Sequence, residues 1–101
     1  LEVPDELLDT YVGTYQGLWL GRLITAEVFL EDGELFLTRT PLYSDTGGNT
    51  DSATSLLIAQ SENAFDSNFG LGWVFNADEN GEVSSVSEEH VSGAWTFKRI
   101  E

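Results

Sequence analysis

The sequence has no cysteine, a single histidine and only four basic residues among its 101 positions. Without cysteine, the chain has no disulfide framework, thiolate zinc site or cysteine nucleophile. One histidine excludes the multi-histidine metal sites that are common in enzymes. With 18 acidic residues against four basic ones the formal charge is -14, which repels phosphate backbones and anionic lipid surfaces. We therefore expect neither nucleic-acid binding nor membrane binding.

Long apolar runs are also missing, since none approaches the roughly 18 residues of a membrane span. What the chain does contain is 41% hydrophobic residues, which is too much apolar surface for a disordered acidic tail. A chain of 101 residues can bury one modest core, so we predict a single domain over residues 1–101. Because the chain begins at Leu1 rather than Met, we expect a leader, a tag or a further domain upstream.

The strongest local signal is Asp32-Gly33, which lies between two runs of alternating apolar and polar residues. Asp-Gly suits the positive φ angles of a type I′ turn, so residues 22–40 are predicted to form a β-hairpin. A two-residue loop also fixes the register. The facing pairs are Val28 with Leu37, Phe29 with Phe36, and Leu30 with Leu35. One face suits a core, and it comprises Ile24, Ala26, Val28, Leu30, Leu35 and Leu37.

A short helix and a series of short strands are predicted for the remaining chain. The helix covers residues 3–12, with Gly13 ending it and a buried stripe of Leu7, Leu8 and Tyr11. Further strands are predicted at residues 13–20, 55–60, 73–76, 82–88 and 94–100. Residues 41–54 form a long polar connection, and residues 63–72 are ambiguous, with Phe65 and Phe69 as anchors. Such strands favour a sandwich or an up-and-down barrel, and barrel closure also removes edge strands.

Candidate catalytic and metal-binding residues are few. His90 follows Glu88 and Glu89, where a proton could be shuttled, but the segment indicates a polar turn with a solvated histidine. Residues 76–83 resemble the start of an EF-hand loop, yet its twelfth position is Ser87 rather than a bidentate glutamate. A hairpin turn around Asn80-Gly81 explains them better. Neither Gly-x-Ser-x-Gly nor Ser-x-x-Lys occurs. We predict no metal, no cofactor and no catalytic residue, with a small carboxylate enzyme as an alternative.

Several aromatic residues recur at strand spacing from both ends of the chain. On the inner side of one barrel they would form either the wall of a small apolar ligand pocket or a filled core. The filled core is favoured, but the residues alone leave both open. The candidate ligand-binding residues are Tyr15, Trp19, Trp73, Phe75, Trp95 and Phe97.

A series of short motifs runs nearly from end to end of the chain. The motifs are Leu8-x-x-Tyr11-x-Gly13-x-Tyr15, Asp32-Gly33-x-Leu35-x-Leu37, Phe65, Val74-Phe75 with Asp78-x-x-Gly81-x-Val83, and Thr96-Phe97-x-Arg99. Their order and spacing resemble a lipocalin-like domain of uncertain function, which is commonly attached C-terminally to serine beta-lactamase-like and penicillin-binding-protein-like hydrolases. The polar connection at residues 41–54 departs from the pattern, because it is longer than the usual link.

The resemblance implies a small antiparallel lipocalin-like barrel of about eight strands behind a short helix, with the catalytic Ser-x-x-Lys in a neighbouring domain. In an archaeal self-compartmentalising serine protease of this type, such a barrel helps assemble the oligomer and limits access to the active sites. Gly13, Tyr15 and Phe97 would be fold determinants, and Arg99 would pair with an acidic neighbour at the barrel rim.

We therefore expect a non-catalytic accessory or binding module for a small apolar ligand. It would belong to an exported protein, periplasmic or extracellular, or be attached to a serine hydrolase. The alternative is an interaction or oligomerisation module that controls access to the active site of a partner hydrolase. Phe29 and Phe36 would then form its contact surface, because aromatic residues are enriched in interface cores.

Overall fold

The computed structural model describes residues 3–19, 21–40, 52–67, 72–90 and 93–101. These residues form one short helix, α1, at Asp5–Asp9, followed by eight β-strands. The strands are β1 Gly13–Trp19, β2 Arg22–Glu31, β3 Glu34–Thr40, β4 Ala53–Ala59, β5 Ala64–Ser67, β6 Gly72–Ala77, β7 Val83–His90 and β8 Gly93–Arg99.

The strands close into one antiparallel barrel in chain order. Each strand pairs with the next, and β8 returns to β1 by pairing Arg99 with Tyr15 and Lys98 with Gln16. Both lateral edges of the sheet are therefore covered, which removes the exposed strand edges that promote aggregation. The predicted all-β, up-and-down barrel behind a short N-terminal helix is confirmed, and it is consistent with a small lipocalin-like barrel.

The hairpin predicted at residues 22–40 is formed by β2 and β3. Asp32 and Gly33 have φ angles of 53° and 79°, the positive values that a type I′ turn requires. The predicted register is confirmed, with Phe29 opposite Phe36 among its pairs. The predicted apolar face points into the barrel, where Ile24 is fully buried.

The two ends of the barrel differ in what covers them. At the helix end, the Tyr11 ring stacks on Phe75 with 4.3 Å between ring centroids. The Tyr11 hydroxyl donates a 2.6 Å hydrogen bond to the carbonyl oxygen of Glu62, which lies between β4 and β5. The helix and the Thr10-Tyr11 segment after it therefore close this end. The opposite end, where β1 finishes at Trp19 and β7 at His90, is called the mouth below.

The helix is shorter than predicted, and it ends at Asp9 rather than at Gly13. Thr10 follows in a right-handed helical conformation, and its hydroxyl donates a 2.6 Å hydrogen bond to the carbonyl oxygen of Leu7. No glycine is needed to end such a helix, so the predicted role of Gly13 was wrong. Gly13 starts β1 instead, where an added Cβ would collide with the carbonyl oxygen of Glu101. It allows the end of the chain to approach β1.

The second predicted hairpin is formed by β6 and β7. In the turn between them, Asp78 Oδ1 accepts hydrogen bonds from the backbone N–H groups of Asn80 and Glu82, at 2.9 and 3.0 Å. Strands flank this turn on both sides, whereas an EF-hand loop lies between helices. The hairpin interpretation of residues 76–83 is therefore confirmed.

The remaining predictions concern the connections. Residues 64–67 of the ambiguous stretch form β5, whereas Phe69 lies outside the described residues. Residues 41–51 of the predicted polar connection also lie outside them. The last two residues of that predicted connection, 53 and 54, belong to β4, so the strand begins two residues earlier than the apolar run indicated.

Candidate functional site

The six candidate aromatic residues occupy two levels of the barrel. Four of them are at most 2% exposed, namely Tyr15, Trp73, Phe75 and Phe97. Their rings fill the middle of the barrel, with centroids 5.9 Å apart for Tyr15 and Phe75 and 6.3 Å apart for Trp73 and Phe97. The other two, Trp19 and Trp95, are only partly buried. They meet at the mouth with ring centroids 5.9 Å apart and planes 75° apart.

Beside the two mouth tryptophans lies a buried ion pair between Arg39 and Glu88. The Arg39 Nε donates to Glu88 Oε2 at 2.6 Å, and a terminal nitrogen lies 3.4 Å from Oε1. Arg39 is 6% exposed and Glu88 is fully buried. Alternation along the strands places both inside, because side chains two residues apart share a face. Arg39 continues the inward series of Leu35 and Leu37, and Glu88 continues that of Val86.

His90 is the last residue of β7 and the third member of this cluster. Its Nε2 lies 2.6 Å from Glu88 Oε1. The imidazole packs edge-on against Trp95, with centroids 5.0 Å apart, and is nearly parallel to the Trp19 ring at 6.0 Å. The prediction of a solvated loop histidine was therefore wrong. Strand β7 extends beyond Glu88, and its alternation turns His90 inward.

Trp19 carries a buried donor that has no acceptor among the described residues. The guanidinium carbon of Arg39 lies 5.1 Å from the centroid of its ring, within the range of a cation–π interaction. The indole Nε1 is buried, and no described residue is its hydrogen-bond partner. Leaving a buried donor unpaired costs about 1–3 kcal/mol. Such a group requires an explanation, and a bound water or ligand is the usual one.

The mouth combines aromatic rings with hydrogen-bond donors. Glu88 already shares its two oxygens between Arg39 and His90, so its charge is compensated within the protein. Across the described ranges, no group of three or more His, Asp or Glu side chains is placed to hold a metal ion. The Trp19 and Trp95 rings and the His90 imidazole are only partly buried here, and the buried Trp19 N–H group lies beside them.

The predictions from sequence missed Arg39 and treated Glu88 only as a member of an adjacent acidic pair. Leu35 and Leu37 were correctly placed on the inner face by alternation. Continuing the same alternation by two residues would have placed Arg39 on that face as well. Ser55 on β4 and Ser67 on β5 are further inward polar residues, 6% and 9% exposed. Polar residues at inward positions therefore gather toward the mouth.

At the helix end, Arg99 does not form the predicted pair with any acidic side chain that the structure describes. Its guanidinium donates to backbone carbonyl oxygens and lies 5.9 Å from the centroid of the Tyr15 ring. The acceptors are Val12 at 2.5 Å, Thr10 at 3.2 Å, Glu101 at 3.2 Å and Val83 at 3.3 Å. The prediction was wrong because three chain segments converge here and present carbonyl groups. Arg99 ties the helix to β7 and to the chain end.

The tyrosine hydroxyls at this end are held in their neutral form. Tyr15 donates a 2.8 Å hydrogen bond to the carbonyl oxygen of Tyr11. Burial raises the pKa of Tyr15 to about 12, against an opposing effect of the Arg99 charge. Burial also raises the pKa of Tyr11, and the negative charge of Glu62 adds to that rise. Both residues therefore act as packed hydrogen-bond donors.

An apolar patch lies on the outside of the barrel, across β2, β3 and β4. Phe29 and Phe36 stack with centroids 5.4 Å apart and planes 14° apart. Leu56 continues the row by pairing with Phe36, and Ile58 follows on β4 with 51% of its surface exposed. These four residues, Phe29, Phe36, Leu56 and Ile58, are called the outer patch below.

Comparisons of this chain with protein-family models, with curated proteins and with solved structures found no match. The resemblance to the lipocalin-like domain of serine hydrolases therefore stays a prediction that rests on the motifs quoted above. Among the described residues, no helix combines the length and the hydropathy that crossing a membrane requires.

Proposed function

We propose that this domain is a non-catalytic, lipocalin-like binding module that holds a small, largely apolar ligand at the mouth of its barrel. The observation that carries the proposal is the charged cluster of Arg39, Glu88 and His90 inside the barrel. The cluster lies against two partly buried tryptophans, Trp19 and Trp95. The domain has no catalytic role in this proposal.

The energetic cost of the charged cluster supports a role beyond stability. Burying two ions costs desolvation free energy, and their mutual attraction offsets that cost only when the ion pair has good geometry. Well-packed apolar residues in place of such a pair are often neutral or more stabilising by about 1–4 kcal/mol. Selection for a stable core alone would therefore favour apolar residues at positions 39 and 88. Departures from that preference are expected at functional sites.

The packing of the barrel supports a shallow site rather than a deep one. An eight-stranded barrel has an interior that side chains can just fill, or that can hold one small ligand. Here Tyr15, Trp73 and Phe97 are nearly or fully buried and occupy the middle. Ligand contacts would then come from Trp19 and Trp95, whose rings are only partly covered by the protein.

We test the mouth proposal by screening small aromatic and aliphatic compounds against isotope-labelled protein with heteronuclear NMR. Binders should move the indole signals of Trp19 and Trp95 more than that of Trp73. Trp95→Leu should weaken binding at least about tenfold, because a stacking surface is lost. Leu18→Ala, at a position 62% exposed on the outer surface, is the matched control and should bind normally. Binding confined to the outer patch, or unchanged in the Trp95 variant, would contradict the proposal.

We propose in addition that the module serves an exported protein, periplasmic or extracellular, either alone or attached to a serine hydrolase. The motif resemblance supports this role, since the catalytic Ser-x-x-Lys of such hydrolases lies outside the barrel. The complete gene product provides the test. An upstream Ser-x-x-Lys domain would support the attached form, and a signal peptide directly before this domain would support the standalone form. The absence of both an upstream Ser-x-x-Lys domain and a signal peptide would contradict the attached form and the standalone form alike.

A second candidate function, an interaction or oligomerisation module, is favoured by the outer patch. Phe29 and Phe36 present a stacked aromatic pair on the outside, and such residues are enriched in interface cores. The double variant Phe29→Ser/Phe36→Ser should then reduce the mass measured by light scattering and keep the circular dichroism of the fold. Leu18→Ser/Leu23→Ser removes another exposed facing pair and is the control. An unchanged mass in the phenylalanine variant would remove this candidate.

A further inference from the structure

The four basic residues of this acidic chain are unevenly placed. Arg22 and Arg39 lie on strands β2 and β3 at the mouth. Lys98 is exposed on the outer side of β8, and Arg99 donates to carbonyl groups at the helix end. Half of the basic residues therefore lie at the mouth of a protein with a formal charge of -14.

Arg22 belongs to the inward-facing series of β2. Leu23 is 57% exposed and Ile24 is fully buried, so alternation places position 22 on the same side as position 24. Arg22 is also directly opposite Trp19 in the pairing of β1 with β2. Within the described ranges, no hydrogen bond or ion pair involves the Arg22 side chain, although Glu88 is matched by both Arg39 and His90.

Two donors that have no partner among the described residues thus occupy facing positions at the mouth, one partly exposed and one buried. One is the guanidinium of Arg22, and the other is the buried Trp19 Nε1, which lacks an acceptor among the described residues. Counting Arg22 and Arg39 as +2 and Glu88 as -1 gives these three residues a formal charge of +1. A cationic ligand would meet this positive charge, and Glu88, the inward carboxylate among the described residues of the mouth, is already paired. A neutral ligand would leave the positive charge of Arg22 without an opposite charge.

We infer that the ligand of the mouth is a small organic anion, a monocarboxylate with an apolar or aromatic body. This inference rests on the function proposed above. The carboxylate oxygens accept hydrogen bonds from Arg22 and from Trp19 Nε1, since charge-assisted hydrogen bonds to a carboxylate are the stronger ones. The apolar body lies against the ring of Trp95, and the acidic remainder of the protein keeps larger polyanions away.

The test compares phenylbutyrate with phenylbutanol, which have the same body and differ in the carboxylate. Affinities are measured by NMR titration of the wild-type protein, of Arg22→Gln and of Lys98→Gln. The lysine variant removes the same charge from the outer surface and is the matched control. We expect wild type to bind phenylbutyrate at least about tenfold more tightly than phenylbutanol, and Arg22→Gln to lose that preference. Lys98→Gln should retain it, and phenylbutyrate should shift the Trp19 indole N–H signal downfield.

Two other results would overturn the inference, and they are distinguishable. If both compounds move the Trp19 and Trp95 signals with equal affinity in wild type and in Arg22→Gln, the anion inference fails and the mouth remains a binding site. If neither compound moves any mouth signal at millimolar concentration, and the wider screen does not either, the proposed function fails as well. If Lys98→Gln loses the preference for phenylbutyrate as Arg22→Gln does, the preference depends on the overall charge of the protein. That result would also contradict the inference.

Discussion

At each end of the barrel an arginine lies over an aromatic ring of β1, but the two arginines have different partners. At the helix end, Arg99 lies 5.9 Å from the centroid of the Tyr15 ring and donates to backbone carbonyl oxygens. At the mouth, Arg39 lies 5.1 Å from the centroid of the Trp19 ring and pairs with the buried Glu88. Neutral carbonyls impose a smaller desolvation cost than a carboxylate, and they are present in any sequence.

The same contrast holds for the other polar groups of the two ends. The Tyr11 and Tyr15 hydroxyls both donate to carbonyl oxygens, whereas Trp19 Nε1 is buried without an acceptor among the described residues. An end that only closes the barrel gains from complete hydrogen bonding. An end of the barrel that binds a ligand retains hydrogen-bond donors for that ligand. This difference supports the proposal that a ligand is recognised at the mouth.

The largest expected effect comes from Glu88→Ala, which leaves Arg39 and His90 without their buried carboxylate. Removing one partner of a buried ion pair costs about 3–5 kcal/mol, which urea denaturation would measure. The double variant Arg39→Met/Glu88→Leu removes both charges and should recover most of that loss. A loss below about 1 kcal/mol in the single variant would contradict a desolvated pair at the mouth.

At the helix end, Arg99→Met should reduce the free energy of unfolding by about 2 kcal/mol, because hydrogen bonds from a charged donor to several carbonyls are lost. Lys98→Met makes the same charge change at an exposed neighbouring position and should cost less than about 0.5 kcal/mol. Both variants should bind mouth ligands as wild type does. A binding defect in the Arg99 variant would remove the functional separation of the two ends.

Much of the fold could be predicted because it depends on local chemistry and on alternation. Asp32-Gly33 determined a turn, the turn determined a register, and the register determined which hydrophobic residues face the core. The end of the helix was harder to predict, because the helix stops at Asp9, before the glycine that would mark its end in the sequence. Gly13 was needed for a contact with Glu101, which lies at the other end of the chain.

The candidate site was predictable only in part. The six aromatic residues were correctly expected to pack inside the barrel, but spacing along a strand does not tell the middle of a barrel from its mouth, so Trp73 and Trp95 looked alike. Arg39 and Glu88 are on strands β3 and β7, 49 positions apart, and nothing local indicates that they meet. Their inward positions followed from alternation, but burial of a charge is improbable until its partner is known.

A smaller effect, specific to alkaline pH, is expected from Tyr15. Its pKa rises from 10.0 to about 12 on burial, so folding favours the neutral hydroxyl. That contribution is complete below pH 10 and is lost as the pH rises through 12. Tyr15→Phe should cost about 1 kcal/mol near neutrality, through the lost hydrogen bond. It should also show a weaker decline in stability above pH 10 than wild type in urea denaturation at several pH values.

The smallest expected effect on stability is that of Trp19→Phe. The variant loses ring area, but it also removes the buried Nε1 that has no acceptor within the described residues. These opposing changes should leave the free energy of unfolding within about 1 kcal/mol of wild type in urea denaturation. Trp73→Phe, in the filled middle of the barrel, has no such compensation. It should cost about 1–3 kcal/mol through the cavity it leaves.

A cost for Trp19→Phe as large as that for Trp73→Phe would show that Trp19 is an ordinary core residue, and the contrast between the two ends would then fail. The opposite combination, near-normal stability with a loss of ligand affinity, is what a recognition residue produces. Because the indole N–H has no acceptor among the described residues, its removal separates binding from stability more cleanly than a change at Arg39 or Glu88 does. Arg39 and Glu88 stabilise each other, so their variants change both properties together.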